Sequence, residues 1–216
     1  MKVIITCGPS YEPIDEMRRI TNASTGELGL MLAQTLAAAG HSVTVLKGEM
    51  ATSQHPHGNA EVLPFSTNDD LLAKLRTLPA DVIFHAAALC DFRVKETRTA
   101  DGALSALAKL PTRSGDLALT LEPTTKVLPQ LRALFPKARI IGWKFELDGT
   151  RTDVLQKAAQ QLRDCSTDGC VVNGRAWGSG FGILARDGTT RELASRAELC
   201  AVLAADCDHF GISFSV

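Results

Sequence analysis

Three stretches decide the fold: Val3-Ile4-Ile5-Thr6-Cys7, then Gly26-Glu27-Leu28-Gly29-Leu30-Met31-Leu32-Ala33-Gln34-Thr35-Leu36-Ala37-Ala38-Ala39-Gly40, then Ser42-Val43-Thr44-Val45-Leu46. The first and third are short β-branched apolar runs. The middle one has helical composition, with Leu28, Leu32 and Leu36 at i,i+4 spacing and Gly40 placed to end it. Strand, helix and strand in that order predict a βαβ unit of a parallel sheet.

Working outward, the alternation repeats. Glu61–Phe65 reads as a strand, Asp69–Leu78 as a helix, and Asp81–Ala87 as a strand so uniformly apolar that it belongs at the centre of the sheet, covered on both faces. Helix Thr125–Leu134, strand Ala138–Phe145, helix Thr152–Asp164 and strand Gly169–Val172 follow. Phe181–Ala185 and Thr190–Leu193 flank an Asp187-Gly188 turn and read as a hairpin, and helix Arg196–Asp208 comes last. The expected fold class is α/β: a Rossmann-like, doubly wound, mainly parallel sheet, in a single domain over 1–216. The segment 93–124 breaks the rhythm with a polar stretch followed by alternating Leu117-Ala118-Leu119-Thr120-Leu121. It reads as a flap or arm, either a dimerisation element or an edge hairpin of the same sheet.

Composition narrows the function classes. The 216 residues are 45% hydrophobic and 22% charged, as in an ordinary globular protein. Lys+Arg of 23 against Asp+Glu of 24 leaves a net charge of −1, which gives no general attraction for nucleic acid or an anionic membrane. Apolar runs fall well short of the roughly 20 residues that span a bilayer, and the N-terminus reads as a first strand, so a cytoplasmic protein is expected. The six cysteines, without a C-x-x-C pair, read as free buried thiols.

The connection from Gly8 to Thr25 is about seventeen residues long, where such turns usually span about 2–6. It lies beyond the carboxyl end of a parallel strand, where open α/β sheets bind ligands. Gly8, Pro9 and Ser10 open it. Ser24 or Thr25 could cap the following helix, and Gly26 with Gly29 would let a triphosphate approach the unpaired N–H groups of the first turn, although Ser-Thr-Gly can equally be an N-cap and nothing more. Neither G-x-G-x-x-G nor a P-loop is present, which disfavours a common dehydrogenase or P-loop kinase. A second candidate stretch, Ala86-Ala87-Ala88-Leu89-Cys90-Asp91-Phe92, again follows a buried strand. Its small residues admit a ligand against the backbone, and Asp91 could hold a ribose hydroxyl or merely cap the strand. His85 reads as a core histidine and Cys90 as packing. His55-x-His57 lies in a Pro/Gly/Asn loop with no third ligand in sequence, and Trp177–Gly182 precedes a strand, so a mobile loop is favoured over a phosphate cradle.

Thr6-Cys7-Gly8-Pro9-Ser10-Tyr11-Glu12-Pro13-Ile14-Asp15 resembles the T-S-G-x-T-x-E-x-I-D opening of the phosphopantothenoylcysteine synthetases, the synthetase domain of the DNA/pantothenate metabolism flavoprotein family. Arg18-Arg19-Ile20-Thr21-Asn22-Ala23-Ser24-Thr25-Gly26-Glu27-Leu28-Gly29 resembles its R-x-I-[ST]-N-x-S-[ST]-G-x-x-G segment, and Ala86–Phe92 its A-A-A-V-A-D-[FY] motif. Ile141-Gly142-Trp143-Lys144-Phe145-Glu146 and Val171-Val172-Asn173 are weaker matches to V-G-F-x-x-E and V-x-N.

The resemblance implies a ligase of coenzyme A biosynthesis. Phosphopantothenate would attack the α-phosphate of CTP or ATP, and cysteine would then displace the nucleotide. Asn22, Lys109 and Arg18 become the catalytic candidates. Gly8, Pro9, Ser10, Ser24, Thr25, Gly26, Ala86, Ala87, Ala88, Asp91, Phe92, Lys144 and Phe145 become binding candidates. Mg²⁺ would be carried by the triphosphate rather than by a protein cage. A stand-alone form without flavin is expected of this chain, and the resemblance further implies a homodimer. The chain departs from the family's lysine-rich flap: Lys109-Leu110-Pro111-Thr112-Arg113 keeps only the first lysine, and Lys144 stands where the family often has a small residue. A nucleotide-binding paralogue without ligation, and an NAD(P)-dependent reductase with an unusual glycine loop, are the rival readings.

Overall fold

In the computed structural model, residues 1–104, 108–110 and 115–208 are described. The strands are β1 (Lys2–Cys7), β2 (Tyr11–Pro13), β3 (Arg19–Thr21), β4 (Ser42–Gly48), β5 (Glu61–Phe65), β6 (Val82–His85), β7 (Phe92–Thr99), β8 (Leu117–Pro123), β9 (Arg139–Phe145), β10 (Gly169–Asn173), β11 (Phe181–Ala185) and β12 (Thr190–Leu193). The helices are α1 (Glu27–Ala38), α2 (Asn68–Leu75), α3 (Leu128–Leu134), α4 (Arg151–Cys165) and α5 (Arg196–Asp208).

Alternate residues of the central strands feed two cores, because successive side chains leave a strand on opposite faces. Val3, Ile5 and Cys7 of β1, with Val43, Val45, Val82 and Phe84, pack under α1 and α5. Ile4, Leu46, Ile83 and Ile140 pack under α2 and α3. Both faces are thus covered, which explains why these strands are apolar throughout. The eight-stranded sheet runs β5-β4-β1-β6-β9-β10-β11-β12. Its first six strands are parallel and the last two antiparallel. From β1 the chain steps outward through β4 to β5, then returns to the other side of β1 as β6. The doubly wound reading is correct, and its topological switch point lies between the carboxyl ends of β1 and β6.

Element ends differ from expectation where local hydrogen bonds intervene. β6 ends at His85: the Ala86 N–H makes the ladder bond to the Thr6 carbonyl at 3.0 Å, and the next N–H, that of Ala87, faces the Thr6 side chain Oγ1 at 3.4 Å. α3 begins at Leu128, three residues later than its composition suggests, since the Thr125 carbonyl is taken by the Asn68 side chain at 2.9 Å. α1 does end at Gly40: its N–H reaches Ala37 O and that of His41 reaches Leu36 O, both at 3.1 Å, with Gly40 at φ 87°.

The excursion is an arm and not an edge hairpin of the main sheet. β7 and β8 pair with each other in a separate two-stranded ribbon. Leu117, Leu119 and Leu121 lie on one face of it, opposite Thr99, Thr97 and Val94. All three leucines are exposed. All six cysteines are free and buried, and no described helix is long and apolar enough to cross a membrane.

Candidate functional site

The chain leaves β1 through Gly8 and enters α1 through Gly26, two backbones in close approach. A Cβ on Gly26 would lie 3.3 Å from the Gly8 backbone, and Gly26 holds φ 77°, a left-handed conformation that glycine adopts without strain. Gly29, one turn on, would press a Cβ to 2.2 Å from Cys7 Cβ, so the helix rests directly on the strand. Gly26 rather than Ser24 or Thr25 is therefore the N-cap, and it makes no side-chain bond. The Thr25 hydroxyl accepts the Glu27 N–H at 3.3 Å, while Ser24 donates its own N–H to Asn22 O. The first turn carries Glu27, whose carboxylate is drawn to Arg196 at 2.6 Å.

The two strand ends at the switch point are stitched together. Ala88 donates its N–H to Gly8 O at 2.9 Å, Ser10 donates to Ala88 O at 3.3 Å, and Cys90 donates to Ser10 Oγ at 2.8 Å. Pro9 and Ala88 form an isolated parallel bridge. Ser10 is fully buried and its hydroxyl oxygen accepts the Cys90 N–H, so it joins the two loops. Cys90 packs as anticipated, and burial pushes its thiol pKa up.

The long connection contains structure that its sequence did not advertise: β2 and β3 form a small antiparallel hairpin. Glu12 is buried on it, and desolvation raises its carboxyl pKa despite the opposing backbone N–H of Asn68. That contact docks the hairpin on the start of α2. The hairpin's outgoing strand delivers Asn22, whose Nδ2 donates to Ala88 O at 3.1 Å and Leu89 O at 2.9 Å. The amide donors are thus already engaged with main chain. Asn22 Oδ1 takes no protein donor among the described residues, and it is the available group.

The hairpin turn also grips the flap. Asp15 Oδ2 accepts the Leu110 N–H at 3.1 Å and Arg18 Nη1 at 2.9 Å. Asp15 Oδ1 accepts the N–H groups of Met17 and Arg18 at 2.9 and 2.6 Å. Arg18 Nη2 donates to Leu110 O at 2.9 Å, and the Glu16 N–H donates to Ala108 O at 3.0 Å. Burial pushes the Asp15 carboxyl up, but the N–H groups of Leu110, Met17 and Arg18 with the guanidinium outweigh it and hold the pKa below its ordinary value. Lys109 is exposed between these anchors. Arg18, expected as a catalytic cation, is half-exposed and spends two donors here. Arg113 lies outside the described residues.

On the other side of β6 a cleft of about 350 Å³ is lined by Asn68, Ala87, Asp91, Lys126, Trp143 and Lys144, with His85 and Gln161 among the remaining lining residues. Asp91 pairs with Lys126, and Lys144 lies 3.5 Å from Glu146, which also binds Lys157 at 2.5 Å. Asn68 donates to Cys90 O and Thr125 O at 2.8 and 2.9 Å, and its buried Oδ1 has no partner among the described residues. His85 bonds Thr6 Oγ1 at 2.8 Å, and burial lowers its pKa to about 4.

The structure therefore divides the expected residues. Ala87, Asp91 and Lys144 share the cleft. Asn22, Ser24, Thr25 and Gly26 approach α1, and Arg18 and Lys109 sit at the hairpin. Ala86 and Ala88 are stitching residues, and Phe92 and Phe145 are exposed outside the cleft lining. Asn68 and Lys126 do not stand out in the sequence, because Asn68-Asp69 and Thr125-Lys126 both read only as helix starts. The loop before β11, expected to be mobile, is anchored by Trp177, which is buried against the space that Gly182 leaves and covered by Arg151 at 3.8 Å. His55 bonds Gln34 at 3.2 Å, and among the described residues no three His, Cys, Asp or Glu side chains gather as metal ligands.

A doubly wound sheet whose switch point joins a glycine-opened helix to a small-residue strand end defines an α/β protein of the Rossmann-like class. Residues 1–197 match the family described as DNA/pantothenate metabolism flavoprotein C-terminal domain, and the chain belongs to that family. A curated relative, the coenzyme A biosynthesis bifunctional protein CoaBC of Thermococcus kodakarensis, is 30% identical over 184 residues, covering 82% of this chain and 42% of the relative. The chain spans about half the length of the curated relatives it matches. Among solved structures, the DNA/pantothenate metabolism flavoprotein from Streptococcus pneumoniae superposes with a TM-score of 0.85 at 22% identity, covering 97% of this chain and 99% of that one. A Cab2 variant described as a complex with phosphopantothenate-cysteine gives a TM-score of 0.70 at 20% identity, covering 95% and 85%.

Proposed function

We propose that this chain joins a phosphopantothenate-type acid to cysteine through an acyl-nucleotide. A carboxylate oxygen of the acid attacks the α-phosphorus of CTP or ATP; the O–P bond to the acid forms, the α–β bridge breaks, and pyrophosphate leaves. The cysteine amine then attacks the acyl carbon, a C–N bond replaces the C–O bond, a proton leaves nitrogen, and nucleoside monophosphate departs. Mg²⁺ enters as the counter-ion of the triphosphate, where it keeps phosphate and water ligands. The relatives' function in coenzyme A biosynthesis and the neighbour solved with phosphopantothenate-cysteine support this assignment.

The observation that carries it furthest is the Asn22 amide on the Ala88 and Leu89 carbonyls, which unites two separate motifs at the switch point. Held there, Asn22 offers Oδ1 as an acceptor suited to an incoming amine N–H. Lys109 and the remaining donors of Arg18 supply positive charge where two anions meet. The N-terminus of α1 at Gly26 suits phosphate oxygens, with Ser24 and Thr25 beside it. Asp91, Ala87 and Lys144 form the wall for the nucleotide. The exposed leucine face of the arm fits a second copy of the chain, giving a cytoplasmic homodimer with residues 1–216 as one domain in each subunit.

The test is pyrophosphate release by the purified protein with Mg²⁺, each nucleoside triphosphate in turn and phosphopantothenate, with and without cysteine, followed by mass spectrometry. Cysteine-dependent amide formation with CTP or ATP is expected. Asn22→Asp should stop amide formation while nucleotide still binds. Triphosphate binding without any pyrophosphate release would overturn the ligase assignment in favour of a nucleotide-binding protein.

A further inference from the structure

We propose that Asp15 is a positioning residue that fixes Lys109 at the site by clasping the residues on either side of it. The catalytic consequence rests on the ligase reading above; the clasp itself does not. Asp15 is chemically suited to the task. Its carboxylate is almost fully buried, with 1% of the side chain exposed, yet it faces four donors that suit an ionised acceptor.

Three of those donors belong to its own turn, at Met17 and Arg18. The fourth is the Leu110 main-chain N–H, 95 residues away in sequence. Arg18 bridges the same two partners, with one nitrogen on Asp15 and the other on the Leu110 carbonyl. Leu110 thus has both its N–H and its C=O held by one ion pair, and its side chain is buried. Ala108 is tied by the Glu16 N–H. With both neighbours fixed and Lys109 itself exposed, the backbone position of the lysine is set while its ammonium remains free to meet an anion.

The clasp also sets a distance. Arg18 leads directly into β3, and Asn22 follows β3, so about four extended residues, or about 13 Å of chain, connect the lysine's anchor to Asn22. The hairpin therefore acts as a spacer between the two groups the reaction needs together. A misplacement of about 1 Å at such a group costs up to about 100-fold in rate.

Asp15→Asn keeps the volume and removes the charge that organises the donors. Trypsin cleavage of the Lys109–Leu110 bond should then accelerate about fivefold or more relative to cleavage after exposed Lys137, because local opening exposes that bond. In turnover, kcat should fall about 10- to 100-fold with the nucleotide KM nearly unchanged. In a Lys109→Ala background the same substitution should cost less than about twofold, since coupled residues are not additive. Hydrogen exchange on the unaltered protein supplies a second measurement should Asp15→Asn fail to fold: the Leu110 amide should be protected. An unprotected Leu110 amide, an unchanged cleavage ratio in folded Asp15→Asn, or a full additive loss in the double variant would each overturn the proposal. Absence of ligation by the unaltered protein would instead overturn the ligase reading alone, with cleavage and exchange still judging the clasp.

Discussion

The central sheet and the apparatus at its carboxyl edge are built on opposite terms. In the sheet, Ile5, Val45, Ile83 and their neighbours are removed from water on both faces, with Leu36 of α1 packed over one of them, and the backbone is satisfied by adjoining strands. At the edge, short polar links do the joining: Asn22 to Ala88 and Leu89, Asp15 to Leu110, Ser10 to Cys90. The arm goes further, with a ribbon of two strands whose leucines face outward. The contrast ties stability to one region, and the proposed function places chemistry in the other. Substitutions that cross those assignments would break it.

The largest effect expected is at Leu36, with 0% exposure. Leu36→Ala should cost about 2–5 kcal/mol in denaturant unfolding, since a core truncation loses transfer energy and leaves a cavity. Turnover per folded molecule should stay within about twofold. A large loss of kcat in the folded variant would show that the core and the site are not separable.

His85 tests the same boundary from the buried side. Its pKa is about 4 in the folded protein against about 6.5 unfolded. Between those values the unfolded chain takes up a proton and the folded one does not, so stability falls as pH drops from 6.5 toward 4. From pH 6.5 to 5 the loss should be about 1.6 kcal/mol, above the range where ordinary carboxylates titrate. His85→Gln should flatten that slope in urea unfolding at pH 5, 5.75 and 6.5. An equal slope in the variant would place the proton elsewhere.

At the edge the expected currency is rate. Lys109→Ala should lower turnover by about 100-fold or more, what loss of one charge stabiliser costs, with the melting temperature almost unmoved because the side chain is exposed. An unchanged rate would move the flap's cationic function to Arg18 or Lys144 and make the hairpin's grip on residues 108–110 purely structural.

The division also explains what the sequence disclosed. Burial on both faces leaves short, continuous apolar runs bounded by turn residues, so β1, β4, β5, β6 and β9 could be read directly, as could the β11–β12 hairpin from its Asp187-Gly188 turn and the helix stop at Gly40. The hairpin inside the first connection could not, because Tyr11–Pro13 and Arg19–Thr21 are three residues each and are held by long-range partners. Asn22, Asp91 and Lys109 stand in recognisable motifs. Asn68 and Lys126 do not, since a cleft wall assembled from α2 and the turn before α3 has no local pattern. The Gly26 cap was misread for a related reason: its left-handed backbone answers to Gly8 across the switch point, not to its own neighbours in sequence.

The smallest effect on stability is expected in the arm, and it sharpens the comparison most. Leu119 is 36% exposed, so Leu119→Ala in an isolated subunit should change unfolding by no more than about 0.5 kcal/mol, against the several expected at Leu36. The same leucine lies with Leu117 and Leu121 on one face of the ribbon, where a second copy could cover it. Leu119→Asp should therefore shift sedimentation from dimer toward monomer while far-ultraviolet circular dichroism stays the same. Its effect on melting should appear only as protein concentration rises, because a partner stabilises by mass action. If Leu119→Asp instead unfolds the monomer at all concentrations, the arm belongs to the core's side of the division despite its exposure, and the leucine face is a packing surface within one chain.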